Sequence, residues 1–381
     1  MNNVLAPPLQ ISILSTGTEL TTGQIVNKNS AWLAAELKKL GLDSKIHLTV
    51  PDDRQLILKA IDFCLQQTDV LLVTGGLGPT TDDFTRDLIA EYFKEELIFN
   101  QDSWHRILEI LSKRQIQPKE SQKQQCFFPK GSVILTNALG TANGFQITKK
   151  SKTIIALPGP PIEIEAIWQN HLKTWFQENT EHMDKAISYA WETLGIPESE
   201  VAAIVEASTV DLKKDFPFDI GYRVHLPYVE VKISYPKSVD FTALVYKEKI
   251  DQALKNITVL KNFEKANDLF FNIINQRSFA FYDFVTDGQI HKSLSDKLSL
   301  QKNWHWKQTT DIHDSDFFNE EENFLALMPI DEKTIFIQAD LDGLKWTKKI
   351  ECPARISAMK MRRDLYFAEL SLIEFIRNYT K

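Results

Sequence analysis

The residues best suited to chemistry lie in one stretch, residues 74–87, which reads Thr-Gly-Gly-Leu-Gly-Pro-Thr-Thr-Asp-Asp-Phe-Thr-Arg-Asp. Its three glycines let backbone N–H groups approach a ligand closely and act together as an anion cradle. Asp82 and Asp83 offer carboxylate oxygens, which Mg²⁺ prefers, and such an ion often bridges to substrate phosphates. The stretch therefore predicts a phosphate-binding loop with a divalent cation at this carboxylate pair.

A purely structural interpretation of this stretch is also open. Asp82 could be only the N-cap of the helix that follows, and the glycines only a turn. The helix start adds partial positive charge that favours phosphate in either case. The stretch is not a Walker A loop, because no Gly-Lys-Ser/Thr follows the glycines.

A second candidate loop, residues 15–20, reads Ser-Thr-Gly-Thr-Glu-Leu and follows the first apolar strand. Open α/β sheets bind ligands at the carboxyl ends of their strands, which favours a ligand role for Gly17 and Thr18. Glu19 is suited to contact a sugar hydroxyl or a metal-bound water. Asn29, a little further on, either contacts the ligand or is the N-cap of the next helix.

A third candidate loop, residues 157–161, reads Leu-Pro-Gly-Pro-Pro, again after a strand. Prolines cannot continue a strand ladder, so Pro158 and Gly159 either wall a pocket or form a stiff connector. Between the loops, Lys123 is a candidate counter-charge for phosphate, or simply a surface lysine.

Alternating strands and helices position these loops. Apolar runs predict strands at 11–15, 44–50 and 69–73, and helical spacing predicts helices at 29–40, 54–67 and 83–93, the first ended by Gly41. This order predicts an α/β fold with a doubly wound, mostly parallel sheet, in which the three loops meet at one edge.

The rest of the chain predicts further elements and three domains. Residues 95–130 look helical and polar, strands follow at 132–135 and 153–157, and a helix at 162–176 ends a first domain, 1–175. A small α+β middle module, 186–258, holds a helix (198–207) and strands (219–224 and 229–235). The last domain, 262–381, is a truncated α/β domain with a charged irregular stretch (311–323), a strand (334–338) and a final helix (355–379).

Composition limits the class of protein. The 381 residues are 43% hydrophobic and 25% charged with a net charge of −7, as in a soluble multidomain protein without long-range attraction for nucleic acid. We find no secretory signal in residues 1–10 and no apolar run of about 20 residues, so no membrane association is expected. Cys64, Cys126 and Cys352 are far apart, which favours a reducing, cytoplasmic compartment over disulfides or structural zinc.

The three loops, in this order and spacing, resemble the molybdopterin-binding fold shared by the MogA/MoaB proteins and the competence/damage-inducible (CinA) family, most closely the latter. The likeness rests on residues 16–20 with 23–26, 74–80 with Asp82 and Asp83, 140–145 and 157–161. It covers about residues 10–175. The module from 186, with Leu194-Gly195-Ile196, resembles the family's middle domain more loosely.

This resemblance implies a metal-dependent ADP-ribose pyrophosphatase site in the first domain. Asp83, Asp82 and Glu19 are then the catalytic residues, with Asp82 and Asp83 holding Mg²⁺, Mn²⁺ or Co²⁺ and K⁺ as a further cation. The residues expected to bind the nucleotide substrate are Gly17, Thr18, Asn29, Gly75, Gly76, Gly78, Thr80, Lys123, Pro158 and Gly159. The family also implies a homodimer.

The last domain departs from the family's pattern. The family's C-terminal domain is associated with nicotinamide mononucleotide deamidase activity, and residues 280–288 are the best match to its motif. Phe284 falls where the nucleophilic serine belongs, and a phenyl ring cannot attack a carboxamide. The ending, 337–343 followed by Arg362 and Arg363 on a helix, still resembles the family. We therefore expect a degenerate domain, retained for structure, dimerisation or regulation.

Three functions remain open from the sequence: a hydrolase of ADP-ribose or a similar compound, a non-catalytic nucleotide- or molybdopterin-binding regulator, and a transferase on a pterin–nucleotide substrate. The intact Asp82, Asp83 and Glu19 favour the hydrolase over the regulator. Metal-dependent release of AMP separates these two, and adenylylation of molybdopterin would support the transferase.

Overall fold

The chain divides into two units, residues 1–186 and 187–381. The structure is a computed structural model that describes residues 9–275, 277–298, 303–307 and 323–379. The charged stretch expected at 311–323 lies outside the described residues except for Asn323, which begins a strand.

Strands and helices alternate along most of the first unit. In chain order it contains β1 (Ile11–Thr16), α1 (Thr18–Thr21), α2 (Lys28–Lys39), β2 (Ser44–Val50), α3 (Arg54–Gln67), β3 (Val70–Thr74), α4 (Thr85–Phe93), β4 (Leu97–Phe99), α5 (Gln101–Lys113), a 3₁₀ segment (Glu120–Cys126), β5 (Phe127–Pro129), β6 (Val133–Leu135), β7 (Gly144–Lys149), β8 (Lys152–Leu157), α6 (Pro161–Ile167), a π-helical turn (Trp168–Leu172) and α7 (Lys173–Asn179).

The main sheet of this unit has the order β2-β1-β3-β8-β7-β6. The first four strands are parallel, and β7 runs antiparallel to both of its neighbours. Both faces are covered: Ile13 packs into a core with Leu33 of α2, whereas the next residue, Leu14, packs with Ile57 of α3. The predicted doubly wound, mostly parallel α/β fold is confirmed.

Helix boundaries follow the sequence closely where capping signals are clear. The helix predicted at 54–67 is α3, because the Asp53 side chain accepts a hydrogen bond from Leu56 N–H and fixes its start. The predicted stop after α2 is also present. Gly41 adopts a φ of +74°, the left-handed conformation that commonly ends a helix.

Two alternative capping roles are wrong. The N-cap of α2 is Asn27, whose side chain accepts from Ser30 N–H, so Asn29 lies one residue inside the helix. Helix α4 begins at Thr85 rather than near Asp83, and its N-cap position is Phe84, without a side-chain cap. Asp82 is therefore not an N-cap.

The region expected to be mainly helical, 95–130, also contains two short strands. β4 and β5 pair antiparallel as a separate ribbon. Strand β7 was also not predicted. Three-residue strands are too short to show a period-two pattern, and the alternation in β7 is interrupted by polar residues at its exposed end. The helix expected at 162–176 extends to Asn179 through the π-helical turn.

The second unit contains two sheets. Its elements are β9 (Ala186–Leu194), α8 (Glu198–Ser208), β10 (Asp219–His225), β11 (Tyr228–Pro236), α9 (Asp240–Ala253), β12 (Thr258–Lys261), α10 (Ala266–Ile274), β13 (Phe279–Asp283), α11 (Gln289–Ser293), α12 (Ser295–Leu298), β14 (Trp304–Lys307), β15 (Asn323–Asp331), β16 (Thr334–Leu341), β17 (Leu344–Glu351), α13 (Ala354–Ser357) and α14 (Lys360–Tyr379). The sheet orders are β10-β11-β9-β12 and β14-β13-β15-β16-β17.

Sequence patterns predicted this unit incompletely. The helix at Glu198 and the strands β10, β11 and β16 were expected, whereas β9, β15 and β17 were not. The final helix begins at Lys360, not Arg355, after the separate short helix α13. No proline or glycine at 358–359 signals that break. In the described part of the chain, no helix has the length and apolar character that crossing a bilayer requires.

Candidate functional site

The loops that follow β1, β3 and β8 surround one cavity of about 400 Å³ at the carboxyl edge of the main sheet. Its lining residues are Thr16, Gly17, Glu19, Asp52, Gly75, Gly76, Leu77, Gly78, Pro79, Asp82, Asp83, Gln125, Thr141, Ala142, Pro158, Gly159, Pro160 and Glu163. The strand order brings these loops together because β1, β3 and β8 are adjacent and parallel. A ligand cavity at this edge is what open α/β sheets commonly provide.

The glycine loop is held by close contacts that exclude side chains. Gly76 has a φ of +66°, and a Cβ there would lie 2.1 Å from the Thr85 hydroxyl oxygen. That hydroxyl donates to the Gly75 carbonyl at 3.0 Å, which ties the loop to the start of α4. The loop therefore requires glycine at position 76.

Arg86 holds the glycine loop in place through two hydrogen bonds. Its side chain is buried, at 3% exposure, and donates to the carbonyls of Leu77 (2.6 Å) and Gly78 (3.0 Å). Burial lowers the pKa of this guanidinium. Within the described residues, the N–H groups of Gly76, Leu77 and Gly78 make no hydrogen bond to the protein. The protein therefore satisfies the carbonyls of Leu77 and Gly78, whereas these three N–H groups are available to a ligand or to water.

The two aspartates play different parts in the loop. Asp83 accepts hydrogen bonds from the Thr80 N–H (2.9 Å) and the Thr80 hydroxyl (2.5 Å) through its Oδ2 atom. A Cβ on Gly78 would lie 2.4 Å from that same oxygen. Asp83 therefore shapes the loop as well as facing the cavity, whereas Asp82 is exposed at the cavity wall.

The cavity is strongly acidic. Five carboxylates line it, namely Glu19, Asp52, Asp82, Asp83 and Glu163, and among the described residues no lysine or arginine does. The Asp52 carboxylate accepts from the N–H (2.9 Å) and hydroxyl (3.1 Å) of Thr18. Sequence reasoning missed Asp52, although it lies directly after β2, where the sheet-edge rule applies.

Glu163 was missed as well, and its environment is distinctive. Burial raises the pKa of this half-buried carboxyl, although a hydrogen bond from Asn137 Nδ2 (2.7 Å) opposes that rise. A Cβ on Gly140 would lie 2.4 Å from the carboxylate, so glycine is needed there. A carboxyl with a raised pKa in a cleft is a candidate for proton transfer. In the sequence, the only indication that Glu163 lines the cavity was its position two residues after the third candidate loop.

The segment around Lys123 contributes differently from the prediction. The Lys123 ammonium pairs with Glu120 at 2.9 Å and lies 5.7 Å from the centre of the Trp104 ring, and Lys123 does not line the cavity. Gln124 Nε2 donates instead to the carbonyls of Gly78 (3.2 Å) and Thr80 (2.8 Å). Gln125 lines the cavity, and its buried Oε1 has no hydrogen-bond partner within the described residues.

Most of the other predicted site residues line the cavity: Gly17, Glu19, Gly75, Gly76, Gly78, Asp82, Asp83, Pro158 and Gly159. Three more predicted residues do not line the cavity, but each forms a hydrogen bond with a residue that does. Thr18 binds Asp52, and Thr80 binds Asp83. Asn29 donates from its Nδ2 to the Gly159 carbonyl at 2.8 Å, which links the first and third loops.

The carboxylates suit one kind of metal ion better than another. Among the described residues, the cavity contains no set of three Asp, Glu, His or Cys ligand atoms within 4.8 Å of one another. A closed structural site of the zinc type is therefore not preformed. Mg²⁺ is usually held by one or two carboxylates together with waters and substrate phosphates, and the neighbouring carboxylates of Asp82 and Asp83, which both line the cavity, fit that pattern.

The segment expected to be a degenerate deamidase motif is apolar in the structure. Phe284 directly follows β13 and packs beside a buried cluster containing Ala280, Tyr282 and Phe324. The Asp283 carboxylate accepts from the N–H groups of Val285 and Thr286, so it stabilises this turn. The loss of deamidase activity stays a prediction.

The first unit is thus an α/β domain with a cavity at the carboxyl edge of a mostly parallel sheet. Residues 12–178 match the family described as "Probable molybdopterin binding domain". The likeness of residues 12–178 to that family is confirmed, and so is the resemblance of the chain to competence/damage-inducible proteins.

Relatives described as competence-damage inducible match different lengths of the chain. One from Caldicellulosiruptor saccharolyticus is 38% identical over 193 residues, 51% of this chain and 46% of the relative. One from Natranaerobius thermophilus is 28% identical over 301 residues, 77% of this chain and 72% of the relative. For the first of these, and others like it, the chain spans about half the length of the relative.

Among solved structures, the chain is similar to the protein CinA "with unknown function" from Thermoplasma acidophilum, with 28% identity over 44% of this chain and 99% of that one and a TM-score of 0.41. It is also similar to the tungsten cofactor synthesizing protein MoaB from Pyrococcus furiosus, with 16% identity over 46% and 99% and a TM-score of 0.32.

Proposed function

We propose that the cavity of the first unit binds a nucleoside diphosphate-type pyrophosphate, such as ADP-ribose, and hydrolyses it with a divalent cation held at Asp82 and Asp83. One observation carries this proposal. Among the described residues, the glycine loop has three N–H groups without a protein partner, and the cavity is lined by five carboxylates but by no lysine or arginine.

The charges of the cavity explain why a cation belongs to the proposal. Two like unit charges 4 Å apart repel by about 4 kcal/mol at an effective dielectric near 20. A pyrophosphate entering a cavity with five carboxylates therefore needs positive charge, which no lining side chain of the described residues supplies. Mg²⁺, Mn²⁺ or Co²⁺ at Asp82 and Asp83 would supply that charge and lower the barrier to attack on phosphorus.

Hydrolysis of ADP-ribose would use the remaining residues for positioning and proton transfer. Water attacks one phosphorus, the bond from that phosphorus to the bridging oxygen breaks, and AMP and ribose 5-phosphate leave. The N–H groups of the glycine loop bind phosphate oxygens, and Glu19 contacts a sugar hydroxyl or the attacking water. Glu163, whose pKa is raised by burial, is suited to exchange a proton with that water.

The experiment is release of AMP and ribose 5-phosphate from ADP-ribose with Mg²⁺, Mn²⁺ or Co²⁺, in the wild type, Asp82→Asn and Asp83→Ala. Asp82→Asn removes the charge but keeps a side-chain oxygen that can still accept a hydrogen bond from Thr80, and it leaves the hydrogen bonds of Asp83 in place. We expect metal-dependent turnover that falls at least about 100-fold in both variants. Glu165→Gln, an exposed change on the same helix as Glu163, is the matched control and should keep full activity.

No turnover with any metal, while ADP-ribose still binds, would contradict the hydrolase. That result would favour the alternative, a non-catalytic nucleotide- or molybdopterin-binding regulator. Adenylyl transfer to molybdopterin without hydrolysis would favour the transferase instead.

A further inference from the structure

The second unit has a cavity of its own, of about 420 Å³, which no function discussed above uses. It lies beside the four-stranded sheet and is closed by residues of α10, α11 and α14. Its lining residues are Glu192, Arg223, His225, Leu226, Pro227, Tyr228, Glu230, Leu260, Phe263, Glu264, Lys265, Ala266, Asn267, Ser293, Leu365 and Glu369.

Three metal-ligating side chains meet in this cavity. Glu192 on β9, His225 on β10 and Glu230 on β11 each place a ligand atom within 4.8 Å of the other two. Among the described residues this is the one group of three Asp, Glu, His or Cys side chains that satisfies that criterion. The strands are neighbours in the order β10-β11-β9, so the sheet itself sets the spacing.

The two carboxylates are buried to a degree that is unusual for charged groups. Glu192 and Glu230 are each 6% exposed, and such groups are rarely buried unless they are paired or bind a metal. Each carboxylate has one partner that can carry positive charge: a histidine that is charged only when protonated, and an arginine that is largely exposed to solvent. His225 Nε2 lies 2.9 Å from Glu192, and Arg223, whose side chain is 63% exposed, lies 3.1 Å from Glu230. Burial raises the pKa of Glu192.

A second feature of the cavity is a polar atom that lacks a partner. Asn267 Oδ1 is buried and accepts no hydrogen bond from the described residues, while Asn267 Nδ2 donates to the Ser293 carbonyl at 3.1 Å. An unsatisfied buried acceptor costs roughly 1–3 kcal/mol in general. A water bound to a cation in this cavity would be a hydrogen-bond donor to such an acceptor.

We infer that Glu192, His225 and Glu230 form a binding site for a divalent transition-metal ion of the Zn²⁺ type. One imidazole with two carboxylates matches the nitrogen and oxygen ligands that Zn²⁺ accepts, whereas Mg²⁺ prefers oxygen alone. Tetrahedral ligands about 2.1 Å from an ion lie roughly 3.4 Å apart, so modest side-chain movements close the site. The guanidinium of Arg223, whose side chain is largely exposed, then leaves Glu230 for solvent when the ion binds.

This site is independent of the proposed hydrolase, because its ligands lie in the second unit. The test uses the full chain and two probes, Zn²⁺ in equilibrium dialysis and Co²⁺ in visible absorption. Co²⁺ held by four ligands absorbs visible light more strongly than hydrated Co²⁺, which has six. We expect a bound equivalent of Zn²⁺ that His225→Gln and Glu230→Gln each weaken at least tenfold, with loss of the cobalt band.

Three matched variants serve as controls. Glu264→Gln removes a carboxylate from the same cavity but outside the triad, and His291→Gln removes an imidazole elsewhere in the unit. Glu165→Gln removes an exposed carboxylate of the first unit that lines neither cavity. All three should keep the Zn²⁺ equivalent and the cobalt band that His225→Gln loses.

Two results would overturn the inference: no cobalt band in the wild type, or the same band and Zn²⁺ affinity in His225→Gln as in the wild type. If circular dichroism shows that Glu230→Gln does not fold, His225→Gln decides the matter, since His225 is 38% exposed in its side chain and its loss perturbs packing less.

Discussion

Arg86 illustrates how a single residue can fix the shape of a loop beside a cavity without lining that cavity itself. Its side chain is buried and does not line the cavity, yet it donates hydrogen bonds to two carbonyls of the glycine loop. The glycines and aspartates could be predicted as site residues because their chemistry is local. The role of Arg86 could not be predicted, because it depends on how the loop folds back against helix α4. Asp52, Glu163 and Gln125 were missed for the same reason, since the fold alone brings them to the cavity.

Replacing Arg86 with methionine should destabilise the first unit. The buried Leu77 carbonyl would lose its donor, while the Gly78 carbonyl would keep the hydrogen bond from Gln124. An unsatisfied buried acceptor costs roughly 1–3 kcal/mol, so we expect the free energy of unfolding to fall by about 1–3 kcal/mol, measured by urea denaturation followed by circular dichroism. Lys130→Ala, which breaks an exposed ion pair with Glu96, is the control and should change it by less than about 1 kcal/mol. Equal effects of the two changes would refute the structural role of Arg86.

Glu163 should make stability depend on pH in a specific direction. Burial raises its folded-state pKa above the ordinary value of 4.5, so its contribution to stability is present below that pH and is lost as pH rises through the folded-state pKa. Glu163→Gln should therefore gain stability relative to wild type as pH rises from 4.5 towards neutrality. Urea unfolding at a series of pH values measures this difference. A difference that stays constant with pH would show that burial does not shift this carboxyl.

At the scale of elements, the sequence predicted the parallel core well and its antiparallel edge poorly. Local signals decide these elements: helix α3 has a side-chain cap, strands β1 and β3 are short buried runs rich in apolar residues, and strand β2 alternates polar and apolar residues. Strands β4, β5 and β7 are short or interrupted by polar residues, and pairing with neighbours rather than propensity makes them strands. Strand β9 was not predicted for the same reason: it pairs with strands that lie about 40 and 70 residues further along the chain.

The connection from β3 to α4 should tolerate no side chain at Gly76. Alanine there would combine a φ of +66° with a Cβ 2.1 Å from the Thr85 hydroxyl. We expect Gly76→Ala to lower the free energy of unfolding by about 2–4 kcal/mol and to abolish nucleotide binding. Gly221→Ala on strand β10, where a Cβ meets nothing within 4 Å, is the control for stability. Wild-type ADP-ribose affinity in Gly76→Ala would show that the loop geometry does not matter.

At the scale of the whole molecule, each unit has its own hydrophobic core. Two buried clusters cover the two faces of the main sheet in the first unit, and separate clusters fill the second. The family match covers residues 12–178, within the first unit. The domain limits predicted within the second unit, 186–258 and 262–381, remain predictions, as do a homodimer and a regulatory role for the last domain.

Separate cores predict that the first unit folds by itself. A chain truncated after Ala186 should unfold cooperatively in a thermal melt and bind ADP-ribose with Mg²⁺ within about threefold of the full-length affinity, because every lining residue of its cavity is retained. A truncated chain without a cooperative transition would show that the first unit depends on the second.

The proposed chemistry requires that the acidic cavity bind a pyrophosphate only together with a cation, which is the central claim. Isothermal titration of ADP-ribose into the metal-free wild-type protein, with and without Mg²⁺, tests this claim directly. We predict binding that is at least about 100-fold tighter with Mg²⁺, and a loss of that difference in Asp82→Asn. Equal affinity with Mg²⁺ and with a chelator would contradict the claim, because ADP-ribose would then bind against five carboxylates without the cation on which the proposed chemistry depends.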